Sequence, residues 1–575
     1  MKKWWIIGVL AALLPSAALA QVEKQVEVTK AYVPSVGQAT KLRIEPRMDD
    51  TVRMRPEIDY TVTPLSLETT LDTRPIRPAQ ISYEEFNLPS RFYLKAGAGA
   101  PLQSLVDFYA SSAQAGRGYV TGYLQHEGRY GKLRNDFDTK RSALRMTNRL
   151  GAAAGRLFGP RLLEGDLHYR HRLDRRYGAS LPDELVPAGT PGMKIGYSDV
   201  DLALRFGDDF LNLKRTNFEL ALDGSLFFDH SDAAATVGRG RQSDFGVRGR
   251  VGREFSGHRV TFGLGYAMKQ GAKALDGGSL HRLHVEARYA KELRALRLEA
   301  GADYYYDRGK GETVDGRAAV SSCIFPYLRL EFDLGSKAFK PFVEIDGTLE
   351  SNDFRSLTER NPYVGGGTWL GKSTANYHLR GGLTGHSANR LFNYRGYVSF
   401  TVSDDRVYWT LPVVDFAAPY AYAAGWFRPM QGRQTLFSIA GEATWRPVTA
   451  LRIELAARLN FYNDEIDLAT GAPKGEARLG LRYEGQRFRF GIGATAQSGR
   501  AWSLHSSDPM QTTVAPVGTV HVPFEVDLHA EAEWMVSGSL ALFVEGRNLL
   551  CQELYTWPLF PEYGINGLVG VRWSF

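Results

Sequence analysis

Four acidic side chains recur at even spacing near the end of the 575-residue chain: Glu525, Asp527, Glu531 and Glu533. On a strand, residues two apart share a face, so these carboxylates would line one surface and could offer hard oxygen ligands to calcium. The intervening positions read Val526, Leu528, Ala530, Ala532 and Trp534. That composition is expected of a strand with one solvated wall, and no metal is expected. Arg452, Glu454 and Arg458 alternate in the same way with Ile453, Leu455, Ala457 and Leu459. His168 and His171 are three apart, which on a strand puts them on opposite faces, where they cannot share a metal without a bulge. The chain has no Gly-x-Ser-x-Gly elbow, no His-Glu-x-x-His pair and no phosphate loop. Asp404-Asp405 reads as a turn. No catalytic residue, cofactor or enzymatic activity is expected.

The elements that must hold these side chains are strands. Alternation of apolar and polar residues recurs at 163–170, 218–226, 296–306, 451–461 and 524–534. Each run is about ten residues long, with charge on most of the polar positions, which is the length and pattern of a strand that crosses an outer membrane. A soluble sandwich would need a second sheet for every apolar face. Bilayer hydrocarbon covers such faces without one, and the opposed charges can pair across neighbouring strands on the other side.

Met1 to Ala20 has the layout of a secretory signal peptide. Lys2 and Lys3 are followed by a short apolar core and the small-x-small pattern Ala18-Leu19-Ala20. Residue 21 is Gln, so no lipid anchor on cysteine is implied. The formal net charge is +7. Arginine outnumbers lysine roughly threefold and sits within strands rather than in a basic helix or tail, which argues against nucleic acid as a partner and for a positive lumen or contact with anionic lipopolysaccharide. Cys323 and Cys551 are too few and too far apart to define a disulfide framework.

Residues 21–88 carry six prolines and mixed charge and read as an extended periplasmic arm. From 89 to 575 the expectation is an all-β fold: one transmembrane antiparallel β-barrel of about 22 strands, with 18 to 24 acceptable. A barrel of that width must be either open or filled. Longer connections at 175–195, 307–319, 354–374, 411–433 and 497–521 are expected on the extracellular side, and the aromatic-rich 412–427 reads as a girdle or an inward-folded loop, with contact to sugar or peptide as the alternative.

The last residues decide how the barrel closes. Ile565, Gly567, Val569, Val571, Trp573 and Phe575 form one apolar or small face. Asn566, Arg572 and Ser574 lie on the other, with Leu568 as the exception. Together with Glu545-Gly546-Arg547-Asn548-Leu549-Leu550 and Tyr555, this ending resembles the C-terminus of TonB-dependent outer-membrane receptors. In those, a penultimate strand ends in Asn-Leu-Phe or a variant, a tyrosine follows in the turn, and a terminal aromatic strand closes the barrel. The resemblance implies that Asn548, Leu549, Tyr555, Trp573 and Phe575 form a barrel-closing motif, with Asn548 in an Asx-type turn. It also implies outer-membrane location and assembly by the barrel-assembly machinery. Val26-Glu27-Val28-Thr29 is similar to the family's TonB box. The family's plug of well over a hundred residues has no counterpart in 21–88, and the arm's opening resembles plugless, receptor-like barrels of Bacteroidota.

Two functions follow as expectations. One is a receptor-like barrel that binds or passes a solute. The other is a non-transporting scaffold that docks a lipoprotein or periplasmic partner through the arm.

Overall fold

In a computed structural model of the protein, the described residues are 90–112, 118–134, 140–178, 194–210, 213–232, 239–311, 319–413, 426–464, 469–506 and 516–575. The expected signal peptide and arm lie outside them, as does most of the aromatic stretch 412–427. Twenty-two antiparallel strands hydrogen-bond in chain order and close into one barrel. The first, Phe92–Ala100, pairs with the last, Asn566–Ser574. At that seam Phe92 N donates to Phe575 O at 2.8 Å and Phe575 N donates to Phe92 O at 3.0 Å. Full closure leaves no unpaired strand edge.

Alternation sets which side chains face out. Leu455, Leu459 and Phe461 are exposed along Leu451–Asp464, and Val569, Val571 and Trp573 along the last strand. Among the described residues no helix is long and apolar enough to cross a membrane; the exposed apolar surface lies on the strands instead. Leu568, the exception to the terminal alternation, is 4% exposed and packs with Leu105 and Phe543 on the inner side of the seam. Glycine makes the seam possible: a Cβ at Gly99 would collide with the Gly567 carbonyl, so these two backbones approach more closely than a side chain permits.

The two ends of the barrel differ. At the rim that holds Phe92 and Phe575 the connections are short, for example 159–160, 256–257 and 294–295. At the other rim, here called the mouth, most are longer and several carry structure of their own. The segment after Lys340–Glu350 holds the helix Phe354–Arg360, and the one after Phe488–Gln497 holds the hairpin Arg500–Ser506 and Pro516–Val522. A shorter hairpin, Lys132–Arg134 with Lys140–Ser142, and the pair Tyr555–Trp557 and Phe560–Pro561 complete the set.

Asp404-Asp405 is not a turn between two strands. It is a bulge within the single strand Phe392–Val413, where Asp405 takes a φ of 55° and the pairing with Arg428–Val448 slips between Ser403 and Arg406. One extra residue in one strand is enough for this, and two acidic residues in sequence do not distinguish a bulge from a turn.

Candidate functional site

At the mouth, the described connections pack against one another and against the barrel wall. Tyr363 stacks on Phe560 with ring centroids 3.9 Å apart, and Phe427 lies against both Phe560 and Trp557. Phe354 meets Phe227 and Tyr197 edge-on from the barrel wall. These residues belong to strands and connections far apart around the ring. They form one buried cluster with Leu357, Trp369, Leu411 and Leu504. Backbone bonds tie the pieces together: Phe427 N donates to Tyr363 O at 2.9 Å, and Gly365 N donates to Phe427 O at 3.0 Å.

The helix Phe354–Arg360 contributes Phe354 and Leu357 to this cluster. It has seven residues, too short to persist alone. Its local signals are an N-cap at Asp353, whose side chain accepts from Ser356 N at 3.1 Å, and an end at Asn361, whose N–H donates to Leu357 O. Phe354 and Leu357 are fully buried, and the charged residues reach the wall. Arg355 pairs with Asp201 at 2.7 Å and with Asp199 at 3.3 Å, and donates to Ser225 at 2.6 Å. Lys269 Nζ lies 2.7 Å from Asp353, and Gln242 donates to the same carboxylate at 2.8 Å. Arg170 joins Asp199 to Glu359, and Arg172 donates to Thr358 O. Five neighbouring strands thus hold two helical turns.

Two further clamps fix the rest of the mouth. Arg282 grips Asp307 through Nε and Nη2, both at 2.7 Å, and Ser373 donates to the same carboxylate. Arg145 bridges Asp174 of the wall and Glu562 of the last connection, at 3.4 and 3.2 Å. Burial alone would raise the Glu562 carboxyl; Arg145 and Arg129 outweigh it and hold Glu562 below the ordinary carboxylate range. Burial likewise acts to raise Asp353, and Lys269 with its hydrogen bond reverses the sign. Below the helix, Arg355 and Glu359 roof a polar cavity of 260 Å³ whose walls include Tyr123, Arg149, His168 and Arg170.

The four carboxylates of Glu525–Met535 are not gathered into a cation site. Glu525 is 6% exposed, accepts from Tyr555 N and pairs with Arg500. Asp527 accepts from Asn548 N at 3.1 Å. Glu531 lies 3.5 Å from Arg482, and Glu533 pairs with Arg489 and Arg572. Arg452 pairs with Glu454, and Arg458 donates to the Tyr397 hydroxyl at 3.1 Å. His168 faces Asp166 and Asp201, both at 3.0 Å, while His171 stacks on His230. His284, Glu286 and Asp303 come together on the wall, but Asp303 is already taken by Arg288 and His284.

Asn548 has a φ of 47°, is 2% exposed, and spans the last connection. Its Nδ2 donates to Gln552 O and Tyr563 O, and its Oδ1 accepts from Gln552 N. Leu549 N donates to Leu528 O. Trp573 stacks on Phe575, and Phe575 on Phe92, so an aromatic trio marks the seam at its terminal rim. The mouth helix was not legible as a site. Its cap residues are visible in the sequence, but Lys269, Asp199 and Asp201 are distant in the chain.

The pyoverdine outer membrane receptor FpvA from Pseudomonas aeruginosa PAO1 superposes with a TM-score of 0.62 at 12% identity, over 85% of this chain and 79% of that one. The two chains share one barrel fold. The FrpB iron transporter from Neisseria meningitidis, F3-3 variant, gives a TM-score of 0.63 at 11% identity over 85% and 82%. The copper transporter OprC gives 0.60 at 13% over 84% and 80%. No protein-family model matches the sequence, and no curated protein matches it.

Proposed function

We propose that this protein is an outer-membrane receptor that binds a solute at its mouth and admits it through the barrel when the segment 351–373 gives way. The observation that carries this reading is how the mouth helix is seated. At one end of a wide barrel a two-turn helix is held through side-chain pairs to five strands, with a polar cavity lined by its own Arg355 and Glu359. A filled structural core would need no such charged seat, since buried ion pairs contribute little net stability over apolar packing. The superposed proteins described as iron and copper transporters support the transport class and leave the solute open.

In this reading the mouth is the extracellular end, and Arg452, Glu454, Arg458, Glu525, Asp527, Glu531 and Glu533 line the lumen. Asn548, Leu549, Tyr555, Trp573 and Phe575 close the barrel. The arm at 21–88 makes the protein a plugless, Bacteroidota-like relative of TonB-dependent receptors, and assembly proceeds through the barrel-assembly machinery. The closed mouth also favours the second reading, a scaffold that passes nothing and uses its arm to dock a lipoprotein or periplasmic partner. Solute efflux from proteoliposomes separates the two. Vesicles carrying the native chain should retain a small trapped sugar, and those carrying Arg355→Ala with Asp353→Ala should release it. Equal retention by both would contradict transport and leave the scaffold.

A further inference from the structure

The polar cavity beside the mouth helix holds one cation that its acids do not use. Asp199 is taken by Arg170 and Arg355, and Asp201 by Arg355 and His168. Glu359 is held by Arg170 at 2.5 Å and lies 3.7 Å from Arg355. Arg149, on the same wall, is exposed and has no hydrogen-bond or ionic partner among the described residues. It stands directly opposite Arg170 on the neighbouring strand. Like charges so placed repel, and an anion between them turns the repulsion into two charge-assisted contacts.

A second donor is free beside it. The Tyr123 hydroxyl makes no hydrogen bond among the described residues. Gly151 gives it room: a Cβ there would strike the Tyr123 ring and hydroxyl. Gly151 shares a strand face with Arg149, so the hydroxyl lies over the wall position next to the free guanidinium. The cavity measures 260 Å³, just under the smallest drug-sized pockets of about 300 Å³, and so suits a small molecule. Glu359 shows which chemistry this seat accepts. Its carboxylate already sits on Arg170, yet its side chain is 41% exposed, whereas that of Asp199 on the same arginine is 1% exposed. Of the two, Glu359 is the one that an incoming carboxylate can displace.

We propose that a small organic carboxylate binds between Arg149 and Arg170, accepts from the Tyr123 hydroxyl and takes the place of Glu359, so that binding itself loosens the C-terminal end of the mouth helix. The exchange conserves charge, since one carboxylate reaches Arg170 as another leaves it. It rests on the reading of the mouth as a solute site and adds the solute's class and the trigger. The test titrates the full chain in neutral detergent, by calorimetry, with succinate and with succinamide, its uncharged analogue. Succinate should bind and succinamide should not. Arg149→Gln should weaken succinate about tenfold and Tyr123→Phe about fivefold, the scale of one charge-assisted and one neutral hydrogen bond. Glu359→Gln should bind succinate more tightly, because no carboxylate then competes for Arg170. Arg329→Gln, whose partner is Glu344 at 3.7 Å, should leave the affinity unchanged. Protease cleavage within 351–373 should speed up when succinate is added to the native chain, and in Glu359→Gln should be fast without it. Equal titration curves for the two probes, an unchanged affinity in Arg149→Gln, weaker binding by Glu359→Gln, or an Arg329→Gln effect as large as that of Arg149→Gln would overturn the proposal. Should Arg149→Gln fail to reach the barrel's heat-modifiable form, Tyr123→Phe, which keeps the ring over Gly151, carries the test by the same measure. Binding in detergent needs no transport, so succinate binding without efflux from the Arg355→Ala, Asp353→Ala chain would contradict the transport reading and leave this site standing.

Discussion

Asp353 shows how much one buried carboxylate decides. It caps the mouth helix, accepts from Gln242 and pairs with Lys269. Asp353→Ala removes the cap and strands a half-buried ammonium. Breaking such a pair costs on the order of 3 kcal/mol, the low end of the usual range because Asp244 remains 3.7 Å from Lys269. Protease cleavage within 351–373 should therefore speed up in Asp353→Ala and remain slow in Lys372→Ala, whose exposed ammonium pairs with Asp405 away from the helix. The pH dependence follows from the sign of the shift. The Asp353 carboxyl lies below its ordinary value in the closed mouth, so its contribution is complete above about pH 4 and declines as pH falls further. The Asp353 share of this, read as the difference in cleavage between the native chain and Asp353→Ala, should be flat from about pH 5 to pH 8 and shrink only in stronger acid. A loss between pH 6 and 7 would mean that histidines, not this pair, hold the segment. The sequence shows a capping residue at Asp353 and nothing of its partner, because the contact spans 84 positions.

At the scale of elements, alternation was legible because lipid and water select side chains at every second position. The runs at 163–170, 218–226, 296–306 and 451–461 fall within strands of the barrel, and that at 524–534 does so from Glu525 on. What was not legible is what long connections do once the barrel places them together. The expected loop at 354–374 contains a helix, and that at 497–521 contains a hairpin pairing in parallel with Phe392–Val413. Their apolar residues lack a strand's period because they pack against residues drawn from the whole ring. Two predictions belong here. Leu455→Arg, on the lipid face, should lower barrel stability by about 2–4 kcal/mol, while Glu454→Gln on the opposite face should cost less, both read from urea unfolding in micelles. Gly99→Val should impair closure of the seam, seen as loss of heat-modifiable mobility, because the side chain would enter the Gly567 carbonyl.

For the molecule as a whole, the seat of the helix links barrel architecture to function. Among the described residues the strands from Phe92–Ala100 to Asn566–Ser574 already close into a ring, so deletion of 21–88 should leave a barrel that migrates normally on unheated gels. If that arm docks a partner, the deletion should also abolish its co-purification. Failure of the shortened chain to assemble would mean that the arm belongs to the fold. The central claim, that the mouth segment is what shuts this barrel and that Arg355 and Asp353 hold it, is tested most directly by single-channel conductance of the full chain in planar bilayers. The native protein should open rarely, and Arg355→Ala with Asp353→Ala should open often and to a larger step. A native protein that conducts as freely as the variant, or a variant as silent as the native protein, would contradict it.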